Sequence, residues 1–260
     1  NKALSLDCTV PFGLNARQMN AWIYYGEGLT LLRELFAKYN IVNFHGGNTG
    51  TQMGGWFRNE IKSLAELKGL KIRIPGFGAE VFSALGAVPQ SLPGGEIYPA
   101  LERGAIDAVE WVGPYDDEKL GFYKIAKFYY YPGWWEPGPV ISFYVNKKQW
   151  EKLPKPYQAV FEAAVAEANI TILAFYDAKN PLVIQRLVQN STQLRRYPDD
   201  VLKAAYGIAQ KIFAEESAQN PDFKKIYDSM RAFQQTSDIW SGLVEGTLAN
   251  FMQSQLRIKK

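Results

Sequence analysis

Apolar positions follow two rhythms along this chain. Leu31, Leu32, Leu35 and Phe36 recur at helical spacing and predict a helix over 29–39. Asn15 stands where it can cap an earlier helix running through Tyr24, and Gly26 and Gly28 separate the two. Short β-prone runs at 41–44, 52–57, 71–74, 87–92, 108–111 and 126–131 alternate with helical patterns at 79–85, 96–103 and 116–120. Gly69, Gly86 and Gly104 fall at helix stops. Residues 63–66, Ser-Leu-Ala-Glu, read as a capping box opening a short helix, and residues 4–10 as a strand end or loop before Pro11. A β-prone run at 140–145 precedes a helical stretch at 155–189, in which Asn180-Pro181 is expected to kink or break the helix. One more strand is expected at 192–197. From Pro198 onward the chain reads as helical, with breaks near Asn220-Pro221 and Gly242.

Alternating strands and helices with short connections imply an α/β fold, with a mainly parallel sheet flanked by helices. Two bends rich in glycine and proline, 46–50 and 133–139, bracket a compact αβ unit. The chain leaves one domain, builds a second and returns. That layout belongs to a hinged two-domain binding protein with its ligand between the lobes.

Composition narrows the chemistry. At 260 residues the chain can bury a real core, and its 47% hydrophobic and 21% charged content is ordinary for a soluble globular protein. The net charge of +3, without a basic run, implies no nucleic-acid partner. Uninterrupted apolar runs are far shorter than a membrane span. Cys8 is the only cysteine, so there is neither an internal disulfide nor a CxxC motif. His45 is the only histidine, which nearly excludes histidine-based zinc sites and a Ser-His-Asp triad. His45 reads as a packed or hinge residue and Cys8 as a small buried hydrophobe. Residues 1–4, Asn-Lys-Ala-Leu, carry no leader character and read as the inside of a folded domain, so a preceding segment is expected and no signal peptide reports localisation.

The polar residues that stand out lie at or near predicted strand ends, where α/β proteins place ligands. Arg73 alternates with Ile72 and Ile74, and its planar fork suits a carboxylate; a surface or ion-paired arginine is the alternative. Glu110 precedes Trp111, and Glu136 follows Trp134-Trp135. Carboxylates set among aromatics are costly to desolvate without a partner. With Gln52 and the Trp111 carbonyl they offer hard oxygens to calcium or a monovalent cation, although no EF-hand spacing is present and two solvated glutamates would look the same. Asp116-Asp117-Glu118 reads as a first-turn acidic cluster favoured by the helix dipole. Gly76-Phe77-Gly78 follows a strand and opens a helix, but Val81 stands at the third glycine position of a dinucleotide fingerprint and Pro75 distorts the turn.

Four segments in order, GGNTGTQMGGWFR, LKGLKIRIPGFG, LERGAIDAVEWVGPYDD and YYYPGWWEPGP, resemble a known family. They are similar to the substrate-binding proteins of tripartite ATP-independent periplasmic (TRAP) transporters, the DctP family, in the branch that binds 2-oxo acids and related monocarboxylates with a metal ion. The resemblance runs from residue 1 to about 250. It implies two α/β lobes joined by hinge-crossing strands and a long connecting helix. The implied division is 1–50 with 139–178 as lobe I, 51–138 with 179–215 as lobe II, and 216–260 as a helical tail. It implies a periplasmic receptor that closes on a small 2-oxo or 2-hydroxy acid, such as pyruvate or lactate, and delivers it to a TRAP membrane permease. By the resemblance, Arg73 pairs with the substrate carboxylate. Gln52, Glu110, the Trp111 carbonyl and Glu136 hold a calcium or sodium ion that also takes substrate oxygens. No organic cofactor is implied. The tail after Pro221 would dimerise by helix exchange. Family members carry a signal peptide and further lobe-I elements before the counterpart of Asn1. The competing reading is a dinucleotide- or metal-dependent enzyme acting on a 2-oxo acid; no residue set offers an activated nucleophile or a base with a positioned partner.

Overall fold

The computed structural model describes residues 1–258. Two helices near its start, α1 (Ala16–Tyr25) and α2 (Gly28–Ala37), lead into β1 (Ile41–Asn48). Asn15 caps α1 as expected, in a reciprocal capping box with Gln18. The stretch expected as a strand end or loop is instead a 3-10 helix, Lys2–Asp7, capped by the Asn1 side chain.

Six strands form the main sheet. They are β2 (Trp56–Phe57), β3 (Lys71–Arg73), β4 (Val88–Gln90), β5 (Ala108–Val109), β6 (Phe128–Tyr131) and, after a crossing, β8 (Gln193–Arg196). Their order is β4-β3-β5-β2-β6-β8, and β2 alone runs antiparallel to its neighbours. Helices α3 (Gly76–Ala84), α4 (Gly94–Glu102) and α5 (Pro114–Leu120) connect the strands. Separately, β7 (Val140–Asn146) pairs antiparallel with β1 in a two-stranded ribbon. Then follow α6 (Lys147–Trp150), the 35-residue α7 (Lys155–Gln189), α8 (Asp199–Gln219), α9 (Pro221–Ser241) and α10 (Thr247–Ile258).

Four expectations give way locally. Gly46 and Gly47 do not bend the chain; β1 runs through them with a bulge between His45 and Gly47. A Cβ on Gly46 would sit 2.2 Å from the Phe143 ring, so the glycine serves close strand packing. The strand expected at 52–57 shrinks to two residues, because Gly55 adopts a left-handed φ of 85° and leaves Gln52 on irregular backbone. Ser63 makes no cap bond; the Leu64 amide donates to Asp200 Oδ2 and the turn is 3-10. Pro181 breaks nothing: α7 is continuous through it. By length and composition α7 would pass for a membrane span; here it packs along β1 and α5.

The largest core cluster runs from Leu6 and Trp22 through Ile72, Phe82, Trp134 and Trp135 to Phe213 and Phe223. A second gathers Trp56, Ile97, Val109, Tyr129 and Leu187 beneath α4 and α7. Within the C-terminal region the two helices differ. In α9, Phe223, Ile226, Tyr227 and Met230 are buried, each contributing roughly 1.5–3 kcal/mol, so α9 is bound to the body. No such anchor exists among the described side chains of α10, where Leu248, Phe251, Met252 and Leu256 are exposed. A five-residue π-turn, Gly242–Gly246, joins the two without interrupting the helix, and Arg17 pairs with Glu245 there.

Candidate ligand and cation site

Arg73 ends β3, beside Val109 of β5 in parallel register. That register puts the residue after β5, Glu110, next to the guanidinium: its amide donates to the Arg73 carbonyl at 3.1 Å. Arg73 Nη1 donates to Glu110 Oε1 at 2.6 Å and to the Glu110 carbonyl at 2.9 Å. The guanidinium carbon lies 5.0 Å from the centre of the Trp111 ring. Arg73 Nε and Nη2 have no protein partner among the described residues, so one edge of the fork is unused.

Glu110 is 1% exposed and receives one further bond, from Trp135 Nε1 to Oε2 at 3.3 Å. Burial and the neighbouring Glu136 charge push its carboxyl well above the usual carboxylate range, and Arg73 only partly opposes them. Burial pushes Glu136 up to about 7, again against Arg73. The Glu136 carboxylate has no donor among the described residues, while its backbone is held twice: its carbonyl accepts from Gln52 N at 3.2 Å and its amide donates to Gly133 O at 3.0 Å. Gly133 N in turn donates to the Gln52 carbonyl at 2.8 Å, so the two loops are laced together.

Gln52 is 7% exposed; Nε2 donates to Thr49 Oγ1 at 3.3 Å, and Oε1 is a buried acceptor without a donor. The cluster therefore holds one guanidinium, two carboxylates, an orphaned amide oxygen and a loop carbonyl. That is an oxygen-only set with one negative charge in excess, which fits a hard cation. No group of three His, Cys, Asp or Glu side chains suited to a metal exists among the described residues; an amide and a carbonyl would have to complete any site.

Two cavities adjoin the cluster. One, of about 150 Å³, lies among Cys8, Thr9, Pro75, Gly78, Trp135 and Glu136. The other, of about 380 Å³, reaches Thr49, Thr51, Met53 and Val112, the neighbours of Gln52 and Trp111. A larger one of about 590 Å³, between α2 and Trp150, touches none of these residues. Gly76 opens α3 with a left-handed φ of 62°, and Gly78 is packed against Ile74 and Trp135. Cys8 is half-buried at the smaller cavity, its thiol pushed up to about 12 by burial and nearby acids, which disfavours the thiolate. His45 is packed, as expected, with Nε2 2.8 Å from Asp7 Oδ1.

Asp116 and Asp117 fall in the first turn of α5, as expected, but Asp117 has partners that helix-dipole logic does not reveal. It is 1% exposed and accepts from Tyr129 OH (2.7 Å), Trp56 Nε1 (2.9 Å) and Val112 N (3.3 Å). The available signal was its spacing of three from Pro114, on the inner stripe of α5.

The family model of bacterial extracellular solute-binding proteins, family 7 (DctP), matches residues 1–220. The chain belongs to this family. A monocarboxylate 2-oxoacid-binding periplasmic protein of Nostoc sp. is 51% identical over 252 residues, 97% of this chain and 69% of that one. A TRAP transporter solute-binding protein of Bordetella bronchiseptica superposes with a TM-score of 0.97 at 52% identity, over 100% of this chain and 77% of that one. Its structure is a mixed-occupancy dimer with copurified calcium and picolinate in one active site. A TRAP periplasmic solute-binding protein of Pseudoalteromonas atlantica, with bound sodium and pyruvate, gives 0.90 at 39% identity, over 94% and 74%. The α/β, two-lobed architecture and the extracytoplasmic setting are those of this receptor family. A family of solute receptors favours binding over the enzymatic alternative.

Proposed function

We propose that this DctP-family receptor binds a small 2-oxo or 2-hydroxy monocarboxylate together with a calcium or sodium ion, without turning it over, and passes it to a TRAP permease. The observation that carries the reading is the excess of buried acceptors around Arg73. Glu110 and Glu136 share one guanidinium, and Gln52 Oε1 has no donor. A buried cluster with uncompensated charge is costly. A divalent cation and a monocarboxylate together bring it to neutrality; with sodium, one carboxyl keeps its proton. In this assignment Gln52, Glu110, the Trp111 carbonyl and Glu136 hold the cation, and the free edge of Arg73 takes the substrate carboxylate. The cation supplies charge and a chelation point for the 2-oxygen. The relatives' ligands, pyruvate and picolinate, each present a carboxylate with an adjacent donor atom and support the same chemistry.

The lobe division proposed for this reading is 1–50 with 139–178, and 51–138 with 179–215. The exposed apolar row of α10, continued by Ile239, Trp240 and Leu243, supports a homodimer formed through the C-terminal helix. Native mass spectrometry of protein purified without added ligand, before and after chelation, tests both proposals. A small acid that leaves together with a metal, on a dimer, is the expected result. An acid retained after chelation would remove the cation from the site, and a monomer at all concentrations would remove the dimer.

A further inference from the structure

Resting on that reading, we infer that Asp117 is a positioning residue for the cation site: it sets the orientation of the Trp111–Val112 peptide and so aims the Trp111 carbonyl. A trans peptide holds its C=O and N–H in opposite directions. Fixing the Val112 N–H on Asp117 Oδ1, at 3.3 Å, therefore turns the Trp111 oxygen away from α5. The following peptide is fixed as well, since the Val112 carbonyl accepts from Met53 N at 3.1 Å. Met53 is the neighbour of Gln52, so the loop of Trp111 and the loop of Gln52 share one clamp.

Asp117 is itself held from behind. Trp56 Nε1 and Tyr129 OH both donate to Oδ2, and their rings stack at 3.9 Å with 13° between planes. Neither donor hydrogen-bonds to Gln52, Arg73, Glu110 or Glu136. The three bonds thus transmit the rigidity of β2, β6 and α5 to one carbonyl, and a carboxylate at the N–H end of a peptide also strengthens the negative end of its dipole.

The test compares the wild type with Asp117→Asn by calcium titration and by the luminescence lifetime of terbium or europium bound in place of calcium, read in H₂O and D₂O. The lifetime counts coordinated waters. Asparagine keeps the size and places an N–H against one of the donors. Expected are a loss of about 10–100-fold in cation affinity and a hydration number raised by about one, as water replaces the displaced carbonyl. A merely structural role would lower the ion-free melting temperature and leave the hydration number alone. Native affinity and hydration in a folded Asp117→Asn overturn the inference. Should that variant not fold, Tyr129→Phe removes one donor and keeps the ring, and an unchanged affinity and hydration there overturns it equally. Failure of the wild type to bind any cation or lanthanide would instead sink the parent reading.

Discussion

Two buried carboxylates, Asp7 and Glu110, are almost equally hidden from water, and they are in opposite electrostatic condition. At the ribbon, Asp7 Oδ1 accepts from Asn43 Nδ2 at 2.7 Å and lies 2.8 Å from His45 Nε2, while Oδ2 accepts from Tyr144 OH at 2.8 Å. Burial pushes its carboxyl up, yet His45 and Tyr144 outweigh the cost and hold it below the usual range. At the end of β5, Glu110 has Arg73 at 2.6 Å, a better single partner than any Asp7 possesses, and is still pushed up, because burial and the neighbouring Glu136 charge together outweigh the one guanidinium. An ion pair is therefore a poor guide to whether a buried acid is satisfied. The count of donors against acceptors separates a structural carboxylate from one awaiting a charged ligand.

The contrast breaks most visibly under neutralisation of each acid. Asp7→Asn should cost about 3 kcal/mol of unfolding free energy in metal-free protein, since it strands donors built around a carboxylate. Glu110→Gln should cost metal-free protein less than that, because burial and Glu136 already oppose the charged form of this carboxyl, while weakening cation binding at least about tenfold. Urea denaturation and calcium titration of the two variants check this. Equal destabilisation would erase the distinction. Next in size is Arg73→Ala, expected to weaken binding of pyruvate by about 1.5–3 kcal/mol, the range for hydrogen bonds to a charged group. Unchanged affinity by isothermal titration would leave Arg73 as a partner of Glu110 alone.

The smallest effect sharpens the comparison through pH. Folded Glu136, raised to about 7, keeps a proton that the unfolded chain, near the ordinary value of 4.5, has already lost. The native state binds more protons in that window, so this contribution to stability falls as pH rises from about 4.5 to about 7. Asp117, raised to about 6 by burial, adds a slope of the same sign. Excess calcium should flatten the part due to the glutamates, because the cation takes the place of the proton. Melting temperatures across that range with chelator and with calcium measure it, and identical slopes would exclude the glutamates as ligands.

Much of this was legible in the chain. Helical spacing located α2, and Asn15 as a cap located α1. Alternation around Ile72 put Arg73 at a strand end, where β3 now presents it. What stayed hidden was long-range pairing. Nothing adjacent to Arg73 in sequence is acidic, yet parallel register brings Glu110, 37 positions away, onto its Nη1. Gln52 was expected on a strand, and a left-handed Gly55 moved it onto a loop. The first-turn place of Asp117 is legible in the sequence, but its donors Trp56 and Tyr129 are not, because they come from two other strands. Local periodicity carries the elements; the partners of buried polar groups depend on topology.

The π-turn at 242–246 acts as an angular setting. Such a turn amounts to one residue added to an α-helix, and one residue is worth about 100° of rotation. Loss of a single residue between Gly242 and Gly246 would restore regular winding and swing Leu248, Phe251 and Met252 by that angle relative to α9. The direction in which this chain presents its apolar row is thus written in its length at one point, and a one-residue deletion would redirect that row without altering a single side chain on it.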